Sequence, residues 1–180
     1  MTGLTRLSPM RAQIAVLVAS TLALAAPAHA DSLKVGDRLA ELDIAVDAKG
    51  KPFKLKAFKG KWVLVTVGAE WCKPCAKELP AWDKISPDYK GKITFVAINI
   101  DDSIEDGKKF FKKLKIANLT TVFMPADKSA VVAKYGSDNM PTTYVADPQG
   151  VIRYVRAGFE KGDVAGETKK MRDQLTKLVK

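Results

Sequence analysis

The two cysteines of the chain, Cys72 and Cys75, constrain its fold more than any other feature. They are separated by two residues, and they follow the apolar, β-branched run 62–67 and precede a segment with helical character. This order predicts a buried strand, a tight turn and a helix with Cys72 at its N-terminus. Unpaired backbone N–H groups and the helix dipole favour an anion there, and a thiolate is an anion. Cys72 is therefore the predicted nucleophile near neutral pH.

Cys75 lies one helical turn further along and is the predicted resolving thiol. In that role it attacks a mixed disulfide formed on Cys72, which releases the substrate and leaves an internal disulfide. A purely structural disulfide is the alternative interpretation. The three-residue spacing at a helix start makes that alternative weak.

Residues 1–30 have the pattern of a secretory signal peptide. Two arginines give a basic start, residues 12–26 are almost wholly apolar, and an A-x-A cleavage pattern ends at Ala30. The apolar run is short for a membrane span, which needs about 20 residues. The expected mature protein is one domain over residues 31–180, exported to the periplasm or beyond; an uncleaved N-terminal anchor is the alternative.

Export places the domain in an oxidising compartment, where two cysteines are too few for a disulfide-stapled scaffold. A redox function therefore explains the cysteine pair better than a role in stabilising the fold does. The formal net charge is +10, with lysines scattered along the chain. A solvated basic surface is the simplest interpretation, and attraction to acidic partners or anionic lipid is the alternative. Nucleic acid is not an expected partner, because an exported chain without a binding motif has no use for it.

Apolar periodicity and turn residues predict an alternating order of strands and helices. The predicted strands are 62–67, 92–100, 120–124, 141–146 and 151–157, and the predicted helices are the segment after Cys72, 103–115, 128–135 and the segment from 162 or 163 onwards. Before them, residues 39–46 and 52–55 flank a turn and predict an N-terminal β-hairpin, followed by one helical turn. The fold class is therefore α/β, with a mixed central sheet and helices on both faces.

The stretch around the cysteines resembles the active site of the thioredoxin superfamily. The resemblance rests on Ala-Glu-Trp-Cys at 69–72, on Pro74 and on Pro80. The N-terminal hairpin and residues 58–65 are similar to the TlpA/ResA-like, redoxin-type branch of that superfamily. The resemblance runs from about residue 35 to the end of the chain, and it implies a thioredoxin-like three-layer fold with an N-terminal β-hairpin extension.

Met140, Pro141 and Thr142 resemble the loop in which the superfamily carries a cis-proline opposite the cysteines. The resemblance implies that the backbone of residue 140 pairs with an extended substrate segment, a form of strand addition. A trans proline at a strand start is the alternative. Trp71 is the other implied substrate contact, as a flat apolar wall beside the thiolate that also packs against the helix.

Lys73, Pro74 and Glu70 are expected to tune the site. Pro74 pre-sets φ for the helix start and has no N–H to satisfy. Lys73 adds a positive charge that stabilises a thiolate modestly, because solvent screens it, or else it simply faces solvent. Glu70 is the weaker candidate, since it lies in the loop.

Glu78 matches the acidic position of the Cys-x-x-Glu-x-Pro continuation in TlpA/ResA-like reductases. The resemblance implies a side chain near the thiols that accepts the proton of Cys75, provided that burial raises its pKa. A solvent-facing helix residue is the alternative. Two departures from thioredoxins bear on this region. Thr66 replaces a buried acid, so no base is expected there, and Val67-Gly68 replaces an aromatic pair, which predicts open space beside the site.

The resemblance implies an exported thiol–disulfide oxidoreductase that reduces protein disulfides and is recharged by a membrane thiol-relay protein. Its implied clients are proteins of cytochrome c or metalloprotein maturation. A disulfide oxidant or isomerase stays open, as does a peptide-binding module with a passive disulfide. No metal or other cofactor beyond the Cys72–Cys75 pair is expected, because a zinc site needs more ligands and the only histidine is His29. A monomer is expected.

Overall fold

A computed structural model describes Gly3 and residues 32–180, so the predicted signal peptide lies outside the described residues apart from Gly3. The strands of the described chain are β1 (Val46–Asp47), β2 (Trp62–Gly68), β3 (Ile93–Asn99), β4 (Thr120–Phe123), β5 (Thr142–Ala146) and β6 (Ile152–Ala157). Its α-helices are α1 (Cys75–Ile85), α2 (Ile104–Lys113) and α3 (Val164–Leu178). None of the helices in this part of the chain is long and apolar enough to cross a membrane.

The strands form one mixed sheet in the order β1-β4-β3-β2-β5-β6. Strands β2, β3 and β4 are parallel, and the outer neighbours are antiparallel. β2 and β3 occupy the centre because both are apolar on their two faces, as expected for strands buried on both sides. Since β2 and β3 run in parallel, the loops after Gly68 and Asn99 leave the sheet at the same edge. The cysteines follow the first of these loops.

Both faces of the sheet are covered, as predicted, but the α-helices are all on one of them. On that face the apolar side chains of α1, α2 and α3 form one core around Trp82. The N-terminal extension and short 3-10 helices cover the opposite face, with Tyr135 and Tyr144 among the large buried side chains. The sheet therefore separates two cores of different construction.

The predicted helix at 128–135 is replaced by two 3-10 helices, Ala126–Lys128 and Val132–Tyr135. Between them the Asp43 carboxylate accepts hydrogen bonds from the Ser129 hydroxyl and the Ala130 N–H, both at 2.8 Å. Ser129 is extended, so the helix cannot continue through it. A side chain from the N-terminal extension thus takes over the backbone donor that a helix would have used.

The N-terminal hairpin is shorter than the sequence predicts. Val46 forms a single bridge to Pro52, and the turn between them is closed by the Asp47 carboxylate, which accepts the N–H groups of Lys49 and Lys51 at 2.8 and 2.9 Å. Pro52 has no N–H to extend the ladder. β1 instead pairs with β4, with Val46 opposite Phe123. The extension therefore adds an edge strand to the main sheet.

Gly107 allows α2 to lie directly against the sheet beside the cysteine loop. A Cβ at this position would overlap the side chain of Asn99 and come within 2.9 Å of the Phe123 ring. Asn99 Nδ2 donates to Asp101 Oδ2 at 2.7 Å, and Asp101 Oδ1 accepts the Glu70 N–H at 2.9 Å. The close approach of α2 thus supports the hydrogen bonds that hold the loop before Cys72.

We expect Gly107→Ala to lower the free energy of unfolding by about 1–3 kcal/mol, the usual effect of overpacking a core. This outcome would go against alanine's higher helix propensity, which favours the variant by about 1 kcal/mol. Urea unfolding measures the difference. Gly162→Ala is the matched control, because its Cβ would meet only the end of the flexible Glu160 side chain, at 3.4 Å. A Gly107→Ala variant as stable as the control would contradict the packing argument.

Candidate active site

Cys72 and Cys75 form a disulfide in the turn that joins β2 to α1. The helix begins at Cys75, so Cys72 precedes its first residue by three positions instead of occupying the N-terminus as predicted. The N–H of Cys75 donates to Cys72 Sγ at 3.3 Å, and the N–H of Cys72 donates to the Ala69 carbonyl at 3.1 Å. The first N–H of α1 is therefore directed at the sulfur of Cys72, where it would stabilise a thiolate.

The two sulfurs differ in access to solvent. Cys72 keeps 6% of its surface exposed, whereas Cys75 is fully buried. Of the two cysteines, only Cys72 lines a surface groove. This asymmetry fits a nucleophile at position 72 and a resolving thiol at position 75.

A surface groove runs past Cys72 and brings together residues from three parts of the chain. Its lining is Trp71, Cys72, Lys73, Pro74, Asp138, Met140 and Lys161. Trp71 is 62% exposed, so most of its ring is free to contact a partner. The Met140–Pro141 peptide bond is cis, and Met140 lies across the groove from the cysteine turn. Trp71 and Met140 thus both line the groove beside Cys72.

Thr142, predicted as a substrate contact, has a side chain that does not reach this groove. It is buried, and its hydroxyl lies 3.0 Å from the Asn139 carbonyl and 3.3 Å from the Gly136 carbonyl. It holds the loop before Met140 in place. The pattern around the proline could not show this, because the direction of the side chain depends on the register of β5 against β2.

The two charged tuning candidates, Lys73 and Glu70, are both exposed. Lys73 lies on the rim of the groove. Glu70 turns towards α2, where its carboxylate lies 3.4 Å from Lys113 Nζ. An exposed pair of this kind contributes little to stability. Of the two, only Lys73 is placed to act on a thiolate at Cys72.

Glu78 is buried beneath the cysteines, with 1% of its surface exposed. The alternative of a solvent-facing helix residue is therefore wrong. Thr66 Oγ1 donates to Glu78 Oε2 at 2.7 Å, and Thr143 Oγ1 donates to Glu78 Oε1 at 2.8 Å. Trp82 Nε1 in turn donates to Thr143 Oγ1 at 3.3 Å. Two hydroxyls from adjacent strands thus hold a carboxylate that projects from the helix.

Burial raises the pKa of Glu78 from 4.5 to about 7, because desolvation penalises the charged carboxylate. The hydrogen bonds from Thr66, Thr143 and Trp82 and the positive charge of Arg156 act in the opposite direction and offset part of this effect. The group therefore exchanges its proton near neutral pH. That property suits a general base one helical turn from Cys75.

Thr66 and Gly68 turn out differently from the expectations drawn from the sequence. A buried acid does lie beside β2 at Thr66, but it is Glu78, which reaches the strand from α1 and accepts the Thr66 hydroxyl. Gly68 does not open space beside the site. A Cβ there would lie 3.2 Å from Cys75 Cβ and 3.4 Å from Cys75 Sγ, so glycine is what allows α1 to approach the strand.

Three residues of the site escaped the sequence analysis: Thr143, Trp82 and Arg156. Thr143 pairs with Thr66 across β2 and β5, and with Arg156 across β5 and β6. Thr66 and Thr143 are far apart in the sequence, and only this strand register brings their hydroxyls together to bind the Glu78 carboxylate. Among the described residues, no cluster of three or more His, Cys, Asp or Glu side chains could hold a metal ion.

Residues 35–155 match the sequence model of the AhpC/TSA family, which is more than half of the chain. The chain belongs to the AhpC/TSA family. Among relatives in this family, the thiol-disulfide oxidoreductase ResA of Bacillus thuringiensis subsp. konkukian is 31% identical over 131 residues, which cover 71% of this chain and 73% of ResA. The thioredoxin-like protein YneN of Bacillus subtilis is 35% identical over 109 residues, which cover 61% of this chain and 64% of YneN. The match to YneN thus spans just under two thirds of its length.

Solved structures agree with this family assignment. The thiol:disulfide interchange protein DsbE from Chlorobium tepidum superposes with a TM-score of 0.65 at 28% identity, over 80% of this chain and 99% of that one. The thioredoxin domain of a thiol-disulfide oxidoreductase from Bacteroides vulgatus does so with a TM-score of 0.65 at 27% identity, over 83% and 100%. The predicted thioredoxin-like α/β fold, the TlpA/ResA-like branch and the class of enzyme, thiol–disulfide oxidoreductase, are confirmed.

The raised pKa of Glu78 predicts that this residue makes the folded protein less stable as the pH rises. Between pH 4.5 and about 7 the folded state binds this proton more tightly than the unfolded state does, so stability falls across that window. Glu78→Gln lacks this titration, so its free energy of unfolding should not show the fall due to Glu78. From pH 4.5 to about pH 7 the difference between the variant and the wild type should therefore shift by about 3 kcal/mol in favour of the variant. Denaturant unfolding of the oxidised proteins at several pH values measures the difference.

Glu105→Gln is the control for this experiment. Glu105 is exposed on α2 and pairs with Lys108 on the same helix. Its variant should follow the pH profile of the wild type. A Glu78→Gln profile parallel to that of the wild type would show that Glu78 does not titrate in the window.

Proposed function

We propose that the protein is an exported reductase of protein disulfides. The observation that carries the proposal is the pairing of an accessible Cys72 with a buried Cys75, which has the buried Glu78 one helical turn beneath it. The thiolate of Cys72 attacks one sulfur of a substrate disulfide, and the other substrate sulfur leaves as a thiolate. Cys75 then attacks Cys72 Sγ, which expels the second substrate sulfur. Two electrons pass to the substrate, and the Cys72–Cys75 disulfide remains.

Glu78 accepts the proton of Cys75 in the resolving step. A buried thiol is a poor nucleophile until it loses its proton, and bulk water has no access to Cys75. With a pKa of about 7, Glu78 is largely ionised at slightly alkaline pH and can take that proton. When the disulfide is reduced again, Cys75 leaves Cys72 as a thiolate and takes this proton back from Glu78.

The direction of the reaction is supported by how little stabilises a thiolate on Cys72. One backbone N–H reaches its sulfur, and the charge of Lys73 is exposed to solvent, which screens it. A weakly stabilised thiolate makes the reduced form a better electron donor, since strong oxidants of this fold owe their potential to a stabilised reduced form. Reduction of substrate disulfides is the consequence.

The proposed cellular setting is supported by the sequence of residues 1–30, which has the pattern of a cleaved export signal. In an oxidising compartment a reductase must be recharged, so we propose a membrane thiol-relay protein as electron donor. Proteins of cytochrome c or metalloprotein maturation are the proposed clients. The proposed mature protein is a monomer that consists of residues 31–180. An uncleaved signal, which would anchor the domain to the membrane, is the alternative. Sizing of the exported protein by mass spectrometry distinguishes the two.

Variants of the two cysteines test the mechanism with insulin as the disulfide substrate. We expect Cys72→Ser to abolish reduction, because no accessible nucleophile remains. We expect Cys75→Ser to accumulate a mixed disulfide on Cys72 that gel electrophoresis without reductant detects, because the resolving thiol is missing. A different result would favour a peptide-binding module with a passive disulfide. In that case the wild type would reduce no insulin, and Cys72→Ser would bind unfolded peptide as well as the wild type does.

The reduction potential of the Cys72–Cys75 pair tests the direction. We expect a value at or below about −230 mV, towards the thioredoxin end of the scale, from equilibration with glutathione or dithiothreitol buffers. A value near about −120 mV would make the protein an oxidant of the DsbA kind and contradict the proposed direction.

A further inference from the structure

A buried ion pair, Arg156–Glu167, joins β6 to α3 beside the strand that carries Thr143. Arg156 in β6 is directly opposite Thr143 in β5. Residues paired in this way point to the same face of a sheet, so Arg156 shares its face with the hydroxyl that donates to Glu78. Only 14% of its side chain is exposed. A guanidinium in this position is always charged, and it is only partly screened by water.

Glu167 in α3 holds the guanidinium in place. Its side chain is 3% exposed, and it forms an ion pair with Arg156 Nη2. Lys170 Nζ lies 2.9 Å from the other carboxylate oxygen of Glu167. The guanidinium carbon of Arg156 also lies 5.6 Å from the centre of the Phe159 ring. The positive charge is therefore held by contacts with an anion and an aromatic ring, a costly arrangement when it serves stability alone.

The contacts of this pair lead back to Glu78. The Phe159 ring packs edge-on against Trp82, with ring centres 5.7 Å apart. Trp82 donates to Thr143, which donates to Glu78. Arg156 is thus connected to the carboxylate along the strand pair and through the two aromatic rings.

Arg156 is also the charged side chain that acts on Glu78. Near this carboxylate, α1 contributes Trp82 and strands β2 and β5 contribute the two threonines, none of which is charged. β6 contributes Arg156, whose charge lowers the pKa of Glu78 against the effect of burial. α3 contributes Glu167 and Lys170 from behind Arg156.

We propose that Arg156 and Glu167 are positioning residues for the active site: Arg156 favours the ionised form of Glu78, and Glu167 limits that attraction. The inference rests on the proposed role of Glu78 as the base for Cys75. The ion pair sets the pH at which the resolving step becomes fast, without touching either sulfur. The two partners carry opposite charges, so their removal shifts the proton equilibrium of Glu78 in opposite directions.

The test is the titration of the Glu78 carboxyl in the oxidised protein, followed by infrared spectroscopy and assigned by the band missing from Glu78→Gln. Arg156→Met should raise the midpoint by about one pH unit, as expected for the loss of one nearby charge at an effective dielectric constant of about 20. Glu167→Gln should lower it, because the attraction of Arg156 is then unopposed. Arg156→Lys, which keeps the charge, should restore most of the wild-type midpoint.

Arg153→Met is the matched control on the same strand. Arg153 is about half exposed and pairs with Asp147, away from Glu78. Its variant should leave the midpoint unchanged. Where Arg156→Met fails to fold, the double variant Arg156→Met/Glu167→Met leaves no buried charge unpaired, and its midpoint should lie between those expected for the single variants. Shifts of the same sign in the two single variants, or a double variant with a midpoint below that of Glu167→Gln, would overturn the proposal.

The pH dependence of the resolving step separates this inference from the proposed function. Stopped-flow decay of a preformed mixed disulfide should follow the shifted midpoints of the Arg156 and Glu167 variants. Suppose that the Glu78 midpoint shifts in opposite directions in the Arg156 and Glu167 variants, but Glu78→Gln resolves the mixed disulfide as fast as the wild type. This result would refute the role of Glu78 as base and leave its coupling to the ion pair intact. Absence of opposite carboxyl shifts refutes the coupling, whatever the resolving rate.

Discussion

The close approach of α1 to β2 is the constraint on which the rest of the site depends. A Cβ at Gly68 would lie 3.2 Å from Cys75 Cβ, so the glycine lets the helix pack closely on the sheet. This contact buries Cys75 and Glu78 together, and it leaves Cys72 in the turn, where a small part of its surface remains exposed. The difference in exposure between the two cysteines therefore goes with this close packing of α1 on β2.

Burial of Glu78 makes its ionised form unfavourable, and groups on the surrounding strands offset only part of this penalty. Thr66 and Thr143 each donate a hydroxyl to the carboxylate, and Arg156 adds a positive charge at longer range. Full neutralisation by a direct ion pair would hold the group ionised and remove its proton exchange near neutral pH. The guanidinium is instead paired with Glu167, so its effect on Glu78 stays partial. A carboxylate balanced in this way can both take and release a proton near pH 7.

The unequal faces of the sheet place the site at an edge reached by several parts of the chain. All three α-helices of the described residues pack on the face that carries the cysteines. The opposite face is closed by short 3-10 helices and by the N-terminal extension, whose Asp43 carboxylate interrupts what the sequence predicts as a helix. The chain reaches Met140 through the short 3-10 helix Ser137–Asn139, and Asp138 and Met140 line the groove beside Cys72.

Local patterns in the sequence were sufficient for the central strands, for helices α2 and α3 and for the redox pair, because alternation, periodicity and the spacing of cysteines act over a few residues. The burial of Glu78, the withdrawal of Thr142 from the groove and the partnership of Thr143 with Arg156 could not be read in this way. Each depends on which residues of distant strands stand opposite one another, and register is a property of the assembled sheet. The redox pair was thus encoded locally, whereas the burial of Glu78 between helix and sheet was decided by long-range packing.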